Sequence, residues 1–203
     1  MKLVIMTKPT FFVEEDKILT TLFEEGMDNL HIHKPNSSPM YSERLLSLLP
    51  EDYYRKITVH DHYYLKTEYG LGAIHLDNPE VRQLPEGYKG KYSSTCNDIA
   101  NLKEQKRKSE YVFLKGIFDS LSEPESKAMY TESQLRAAAD QGLIDRHVYA
   151  MGGINLENIR YVKEFGFGGI VICGDLWNQF DIHNEMDYKR LITHFEKLRK
   201  AVG

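Results

Sequence analysis

The sequence predicts a single domain over residues 1–203, a closed (β/α)8 TIM barrel with trimmed helices. Eight short strand-like runs, most of them rich in Val, Ile or aromatic residues, alternate with amphipathic stretches along the whole chain. Such alternation implies parallel strands, because parallel neighbours need crossover connections. The last two runs end in glycine and open onto helices, at Met151-Gly152-Gly153-Ile154-Asn155 and at Gly169-Ile170-Val171-Ile172-Cys173-Gly174-Asp175. Length adds a constraint: such barrels typically take about 250 residues and ~200 is near the lower limit, so the 203 residues here leave room only for short helices. An open doubly wound sheet is the alternative fold for the same alternation.

In chain order, the strand runs are residues 2–7, 29–33, 56–60, 73–76, 89–94, 111–116, 147–151 and 169–173, each bounded by turn-forming residues. Residues 14–25 carry Ile18, Leu19, Leu22 and Phe23 at helical spacing, and 42–49 repeat the theme with Leu45, Leu46, Leu48 and Leu49. Thr131 and Glu132-Ser133-Gln134 supply capping residues for a helix over 131–141. Asn155 is expected as an N-cap with Asn158 at the third helical position, in a helix ending near Phe165-Gly166. A last helix over 186–200 places Leu191, Ile192, Phe195 and Leu198 on one stripe. The connection 77–83 is too short for more than a turn or two.

Composition excludes several classes. Apolar residues make up 41% of the chain, enough for a buried core, and the net charge of −4 argues against nucleic-acid binding. No run of about 18 apolar residues marks a membrane span. Met1-Lys2-Leu3-Val4-Ile5-Met6 reads directly as a first strand rather than a signal peptide. Cys96 and Cys173 lack metal-ligand spacing, as expected of free thiols in a reduced, cytoplasmic protein. Apolar residues near Trp177 permit a homodimer.

In a barrel, function collects at the C-terminal ends of the strands. The two glycine-ended strands predict a phosphate cradle there, since glycine lets backbone N–H groups approach an anion. Small phosphorylated molecules are therefore the expected substrates. Five histidines, His31, His33, His60, His62 and His75, fall on three neighbouring strand ends. Residues at i and i+2 share a face of a strand, so His31 and His33 point together, as do His60 and His62.

Four motifs in series then resemble the thiamin phosphate synthase and thiazole tautomerase family over almost the whole chain. They are Ile-Thr-Val-His60-Asp61-His62, Tyr69-Gly70-Leu71-Gly72-Ala73-Ile74-His75-Leu76, Tyr111-Val112 through Gly116-Ile117-Phe118, and Ala150-Met151-Gly152-Gly153-Ile154-Asn155 with Phe165-Gly166-Phe167-Gly168-Gly169-Ile170-Val171. The resemblance implies a transferase of thiamin biosynthesis that joins hydroxymethylpyrimidine diphosphate to a thiazole phosphate, releases pyrophosphate and uses Mg2+. It further implies that Gly152, Gly153, Cys173 and Gly174 bind the thiazole phosphate and that Asp61 is a metal ligand. Glu80, or Asp77 nearby, is the implied second metal carboxylate, and His60 and His75 are expected at the pyrimidine diphosphate. Ser94 matches a pyrophosphate-contacting Ser, and Ser120 and Ser122 match two Thr of a phosphate-facing loop.

The departures are specific. His31-Ile32-His33-Lys34-Pro35 stands where the synthases carry Gln-x-Arg-x-Lys, so the bidentate arginine fork is missing. His31 and His33, with Lys34 beside them, are the candidates to replace it as imidazolium donors, and diphosphate affinity would then fall as pH rises from about 6 to 8. Glu123 aligns with a family Lys, a charge that Lys127 could restore. Cys96 takes the place of the tautomerases' His; it is the remaining catalytic candidate, with an inert small residue as the plainer reading. A tautomerase-like isomerase or phosphate-binding relative is the alternative function. A zinc hydrolase built on His31 and His33 with His60 or His75 is the third.

Overall fold

The computed structural model describes residues 1–79, 83–180 and 185–203, the side chains of 185 and 186 excepted. Its strands are β1 (Lys2–Met6), β2 (Leu30–Ile32), β3 (Ile57–Val59), β4 (Ala73–Leu76), β5 (Tyr92–Cys96), β6 (Val112–Lys115), β7 (Val148–Met151) and β8 (Gly169–Ile172). All pair in parallel and in sequence order, and β8 closes on β1 through Lys2–Gly169 to Ile5–Ile172. The chain is a (β/α)8 barrel, not an open sheet.

The helices are α1 (Glu15–Glu24), α2 (Pro39–Leu48), α3 (Tyr64–Glu68), α4 (Leu102–Lys108), α5 (Glu132–Asp140), α6 (Ile159–Glu164), α7 (Gly174–Trp177) and α8 (Glu185–Val202). Among the described residues none lies between β4 and β5, and α3, α6 and α7 are one or two turns each, so the trimming falls there. No described helix is long and apolar enough to cross a membrane.

Local chemistry sets the boundaries. α2 starts three residues before the expected Ser42, because Pro39 occupies its first turn, where proline's fixed φ suits a helix and its missing N–H costs nothing. α5 has the expected capping box: Thr131 Oγ1 accepts from the Gln134 amide while Gln134 Oε1 accepts from the Thr131 amide. Asn155 makes the matching exchange, accepting from Glu157 and Asn158 amides at 3.0 Å each while Asn158 Oδ1 accepts from its own N–H. That exchange caps a turn, and the helix proper begins at Ile159. β5 starts at Tyr92, later than expected, because the chain ahead of it turns at Glu86-Gly87 and bends at Gly90.

The core has two layers. Between barrel and helices, apolar side chains of the strands, mostly Leu, Ile and Val, meet Ile18, Leu19, Leu22, Leu46, Leu191, Phe195 and Leu198. Each such burial contributes roughly 1.5–3 kcal/mol. Trp177 is also buried here, its Nε1 donating to the Met6 carbonyl at 2.7 Å, so it offers no face to a second copy. His194 is paired with Asp175 at 2.7 Å and ties α8 to α7. His183 lies outside the described residues.

Inside the barrel the layer is lopsided. Val4, Met6, Phe113, Tyr149 and Val171 make an apolar half from β1, β6, β7 and β8. His31, Thr58, His60, His75, Ser93 and Thr95, all buried, make a polar half from β2 to β5.

Candidate active site

The period-2 alternation of strands turns His31, His60 and His75 inward, where all three are fully buried. Their hydrogen bonds run as a chain. Tyr111 Oη lies 2.7 Å from His31 Nε2, His31 Nδ1 lies 2.8 Å from His60 Nε2, and His60 Nδ1 lies 2.7 Å from Asp77 Oδ1. His75 is held separately, Nδ1 at 2.7 Å from Ser93 Oγ and Nε2 at 2.8 Å from Thr95 Oγ1, and its ring stacks on His60 with centroids 4.2 Å apart. Burial pushes His31 and His75 well below the ordinary histidine pKa, and neighbouring histidines push the same way. Burial also lowers His60, against the opposing pull of Asp77. Both nitrogens of His31 are engaged and its ring is buried beneath the pocket. It therefore lies too deep to serve as an imidazolium donor to an anion bound in the pocket.

His33, one layer higher, reaches the rim. Its Nδ1 is buried, makes no hydrogen bond, and sits 3.6 Å from Asp61 Oδ2 and 3.7 Å from Asp77 Oδ2. Burial alone would lower its pKa, but Asp61, Asp77 and Glu123 outweigh that and raise it. Burial would likewise raise both aspartates, yet His33 and His60 hold them below the usual carboxylate value. Asp61 also accepts from the Lys34 amide at 3.2 Å.

Across the barrel mouth, Gly152, Gly153, Cys173 and Gly174 line one pocket of about 320 Å³ with His33, Asp77, Ser120 and Ser122. Gly152 and Gly153 have φ of 104° and 63°, a region open to glycine at little cost. A Cβ on Gly153 would stand 2.2 Å from the Asp119 carbonyl oxygen, and one on Gly174 would stand 2.8 Å from Leu121. Glycine at those points lets the loop after β6 close over the ends of β7 and β8. Among the described residues, no protein acceptor is bonded to the amides of Gly152, Gly153, Ile154, Gly174 or Asp175. Ser120 Oγ accepts from the Glu123 amide at 3.1 Å and shapes the loop above them.

Other expected residues lie elsewhere. Ser94 is buried on the outer face of β5, 2.8 Å from Ser109 Oγ, and Cys96 on the same face donates to the Asp98 carbonyl. The pocket-side residue of β5 is Thr95. Lys34 is buried on the helix side of the barrel, 2.5 Å from Glu15 and 4.5 Å from the Phe11 ring centroid. Lys127 is exposed and pairs with Asp119 at 3.5 Å. Glu80 lies outside the described residues. Cys173 lines the pocket as a thiol, its pKa raised by burial to about 11.

Lys115, which the motifs do not single out, also lines the pocket. It follows Tyr111 and Phe113 at two-residue steps on the inner face of β6 and has no ion-pair partner among the described residues. Its signal in the sequence is that parity alone.

No protein-family model matches the chain, and no curated protein does. Among solved structures, a thiamine phosphate pyrophosphorylase from Bacteroides thetaiotaomicron is 47% identical, with TM-score 0.88, covering 100% of this chain and 98% of that one. A thiamine phosphate pyrophosphorylase from Pyrococcus furiosus is 18% identical at TM-score 0.75, covering 99% and 95%. The tryptophan synthase α-subunit of Pyrococcus furiosus, 13% identical at TM-score 0.64 over 98% and 97%, shares the fold alone. At 47% identity over its full length, this chain belongs to the thiamin phosphate synthase (thiamine phosphate pyrophosphorylase) family.

Proposed function

We propose that the chain is a transferase that joins hydroxymethylpyrimidine diphosphate to a thiazole phosphate and releases pyrophosphate, in thiamin biosynthesis. The observation that carries this reading is the meeting of two glycine-ended strands, whose amides meet no acceptor among the described residues, in the same pocket as a paired-aspartate rim. The amides of Gly152, Gly153 and Gly174 suit the thiazole phosphate, because oriented N–H groups stabilise an anion without reorganising. Met6, Met151 and Val171 line the pocket beside them and offer an apolar floor to a flat ring. Lys115 supplies positive charge for the diphosphate in place of the missing arginine fork.

The family implies Mg2+, and the residues fit a divalent cation: Asp61 and Asp77 converge from adjacent strand ends around a buried, unpartnered nitrogen. Asp61 and Asp77 would hold it, and when bound it would neutralise diphosphate charge as the leaving group departs. The buried histidines below fix Asp77 through His60, so the rim carboxylate is oriented before substrate arrives.

A second reading, a tautomerase-like isomerase or phosphate-binding relative, is favoured by Glu123, whose carboxylate lines the pocket and would repel a diphosphate. Turnover with both precursors, in wild type and Asp61→Asn, decides between them. The transferase reading expects wild-type turnover and a loss of about 100-fold or more in the variant, with its melting temperature little changed. Wild-type protein that binds thiazole phosphate but forms no product with the diphosphate would refute it and leave the second reading.

A further inference from the structure

We propose that the rim cluster is a mixed nitrogen–oxygen site that selects a first-row transition-metal dication over Mg2+, with His33, His60 and Asp77 as ligands and Asp61 beside them. The donor atoms of the first three residues lie within 4.8 Å of one another. His33 Nδ1 is the pivot: a buried imidazole nitrogen with no hydrogen bond, 3.6 Å from one carboxylate and 3.7 Å from the other. Ligands around a tetrahedral ion with bonds of ~2.0–2.1 Å stand about 3.4 Å from each other, so the His33 separations are close to what an ion between them requires, while His60 Nδ1 and Asp77 Oδ1, 2.7 Å apart, must move apart to admit it.

The surroundings have the form of a metal site's outer layer. The far nitrogen of His60 is held by His31 at 2.8 Å and that ring in turn by Tyr111 at 2.7 Å, which fixes the face of His60 that points at Asp77. Outer hydrogen bonds of this kind orient a ligating imidazole and set which nitrogen binds. Coordination would displace the proton shared by His60 Nδ1 and Asp77 to solvent, and the metal would take its place. His33 and Asp77 both line the pocket, so the ion has an entry path and keeps open positions toward a bound phosphate oxygen.

Donor chemistry decides the metal. Mg2+ prefers an all-oxygen octahedron and keeps its waters. Imidazole nitrogen suits Mn2+, Fe2+, Co2+ and Zn2+, with affinity rising along that row up to copper. Two imidazoles therefore bias the site away from Mg2+. What the ion does for catalysis rests on the transferase reading, but its binding does not, and the experiment uses neither substrate.

The test is titration of chelator-stripped full-length protein with Co2+, followed by visible absorption, then competition with Zn2+ and with Mg2+. The expected result is one equivalent of Co2+ with nitrogen-ligand d–d bands, displaced by Zn2+ but not by a hundredfold excess of Mg2+. His33→Ala should weaken Co2+ binding by more than the ~10–100-fold typical of an outer-layer change. That side chain is at the rim, so its loss leaves the fold intact even where Asp77→Ala does not. Mg2+ displacing Co2+ at comparable concentration, or an unchanged spectrum in His33→Ala, would overturn the proposal.

Discussion

Acid should destabilise this barrel through its polar interior well before the carboxylates titrate. His31 and His75 are fully buried, and burial holds both well below 6.5, the value they regain in the unfolded chain. For a base lowered on folding, the unfolded state binds more protons below pH 6.5, so unfolding free energy drops as pH falls. Each histidine kept neutral contributes a slope approaching ~1.4 kcal/mol per pH unit below its unfolded value. Integrated from pH 6.5 to pH 5, two rings that stay neutral throughout remove at most about 3 kcal/mol, a large share of a typical 5–15 kcal/mol. His60, lowered less, adds to the same side. His33 is raised, so its contribution is lost as pH rises above 6.5 and is nearly constant in this window. Asp61 and Asp77 are lowered, so theirs is lost only as pH falls below 3.8. Guanidinium unfolding in chelator at pH 6.5, 5.75 and 5 reads the slope, and His75→Gln should cut it by about half. Equal stability at pH 5 and 6.5, or an unaltered slope in His75→Gln, would show that the buried rings already carry protons in the fold.

Three substitutions probe the other parts. Gly153→Ala forces a Cβ to within 2.2 Å of the Asp119 carbonyl at φ 63°; it should cost about 1–3 kcal/mol of stability and abolish thiazole phosphate binding by calorimetry, and intact binding would count against the cradle. Lys115→Met should weaken inorganic pyrophosphate at least tenfold, since a hydrogen bond to a charged group contributes roughly 1.5–3 kcal/mol; unchanged affinity would remove Lys115 from the site. Lys34→Met strands the buried Glu15 carboxylate, whose Oε2 has no hydrogen-bond partner. That should cost ~3–5 kcal/mol, recovered in Lys34→Met/Glu15→Leu; if the double variant is no more stable, the pair is not what the loss reports.

Much of the fold was legible because barrel strands are short apolar runs with hard stops, and eight such stops stand in the chain. β5 was the hardest to bound: Tyr92-Ser93-Ser94-Thr95-Cys96 has little apolar signal, and Gly90 just upstream carries the bend that ends the preceding loop. That uncertainty reached the site. A one-residue slip in a strand exchanges its two faces, and it separates Ser94, which meets Ser109 behind the barrel, from Thr95, which lines the pocket. The same parity applied to β6 exposes Lys115 behind Tyr111 and Phe113. Lys34 was beyond such reasoning, because its partner Glu15 sits 19 residues earlier on α1 and only the closed barrel brings them together. The glycine cradle was legible for the opposite reason: Gly152, Gly153 and Gly174 carry their backbone requirement in their identity.

The lopsided interior explains why the two halves of the pocket differ. Above the apolar half, β7 and β8 run into glycines, and among the described residues no protein acceptor is bonded to their amides. Above the polar half, β2, β3 and β4 end in His33, Asp61 and Asp77, and the histidine chain beneath draws one of those carboxylates into a fixed position. The first wall suits an anion and the second a cation, across a floor that includes Met6, Met151 and Val171. In such a cleft charge separation is stabilised by dipoles and carboxylates set in place before the bond breaks. A barrel with leucines at positions 31, 60 and 75 would keep the two glycine-ended strands but lose the hydrogen bond that fixes Asp77. The buried histidines therefore fix a rim carboxylate at a cost in acid stability, and the two effects should be lost together.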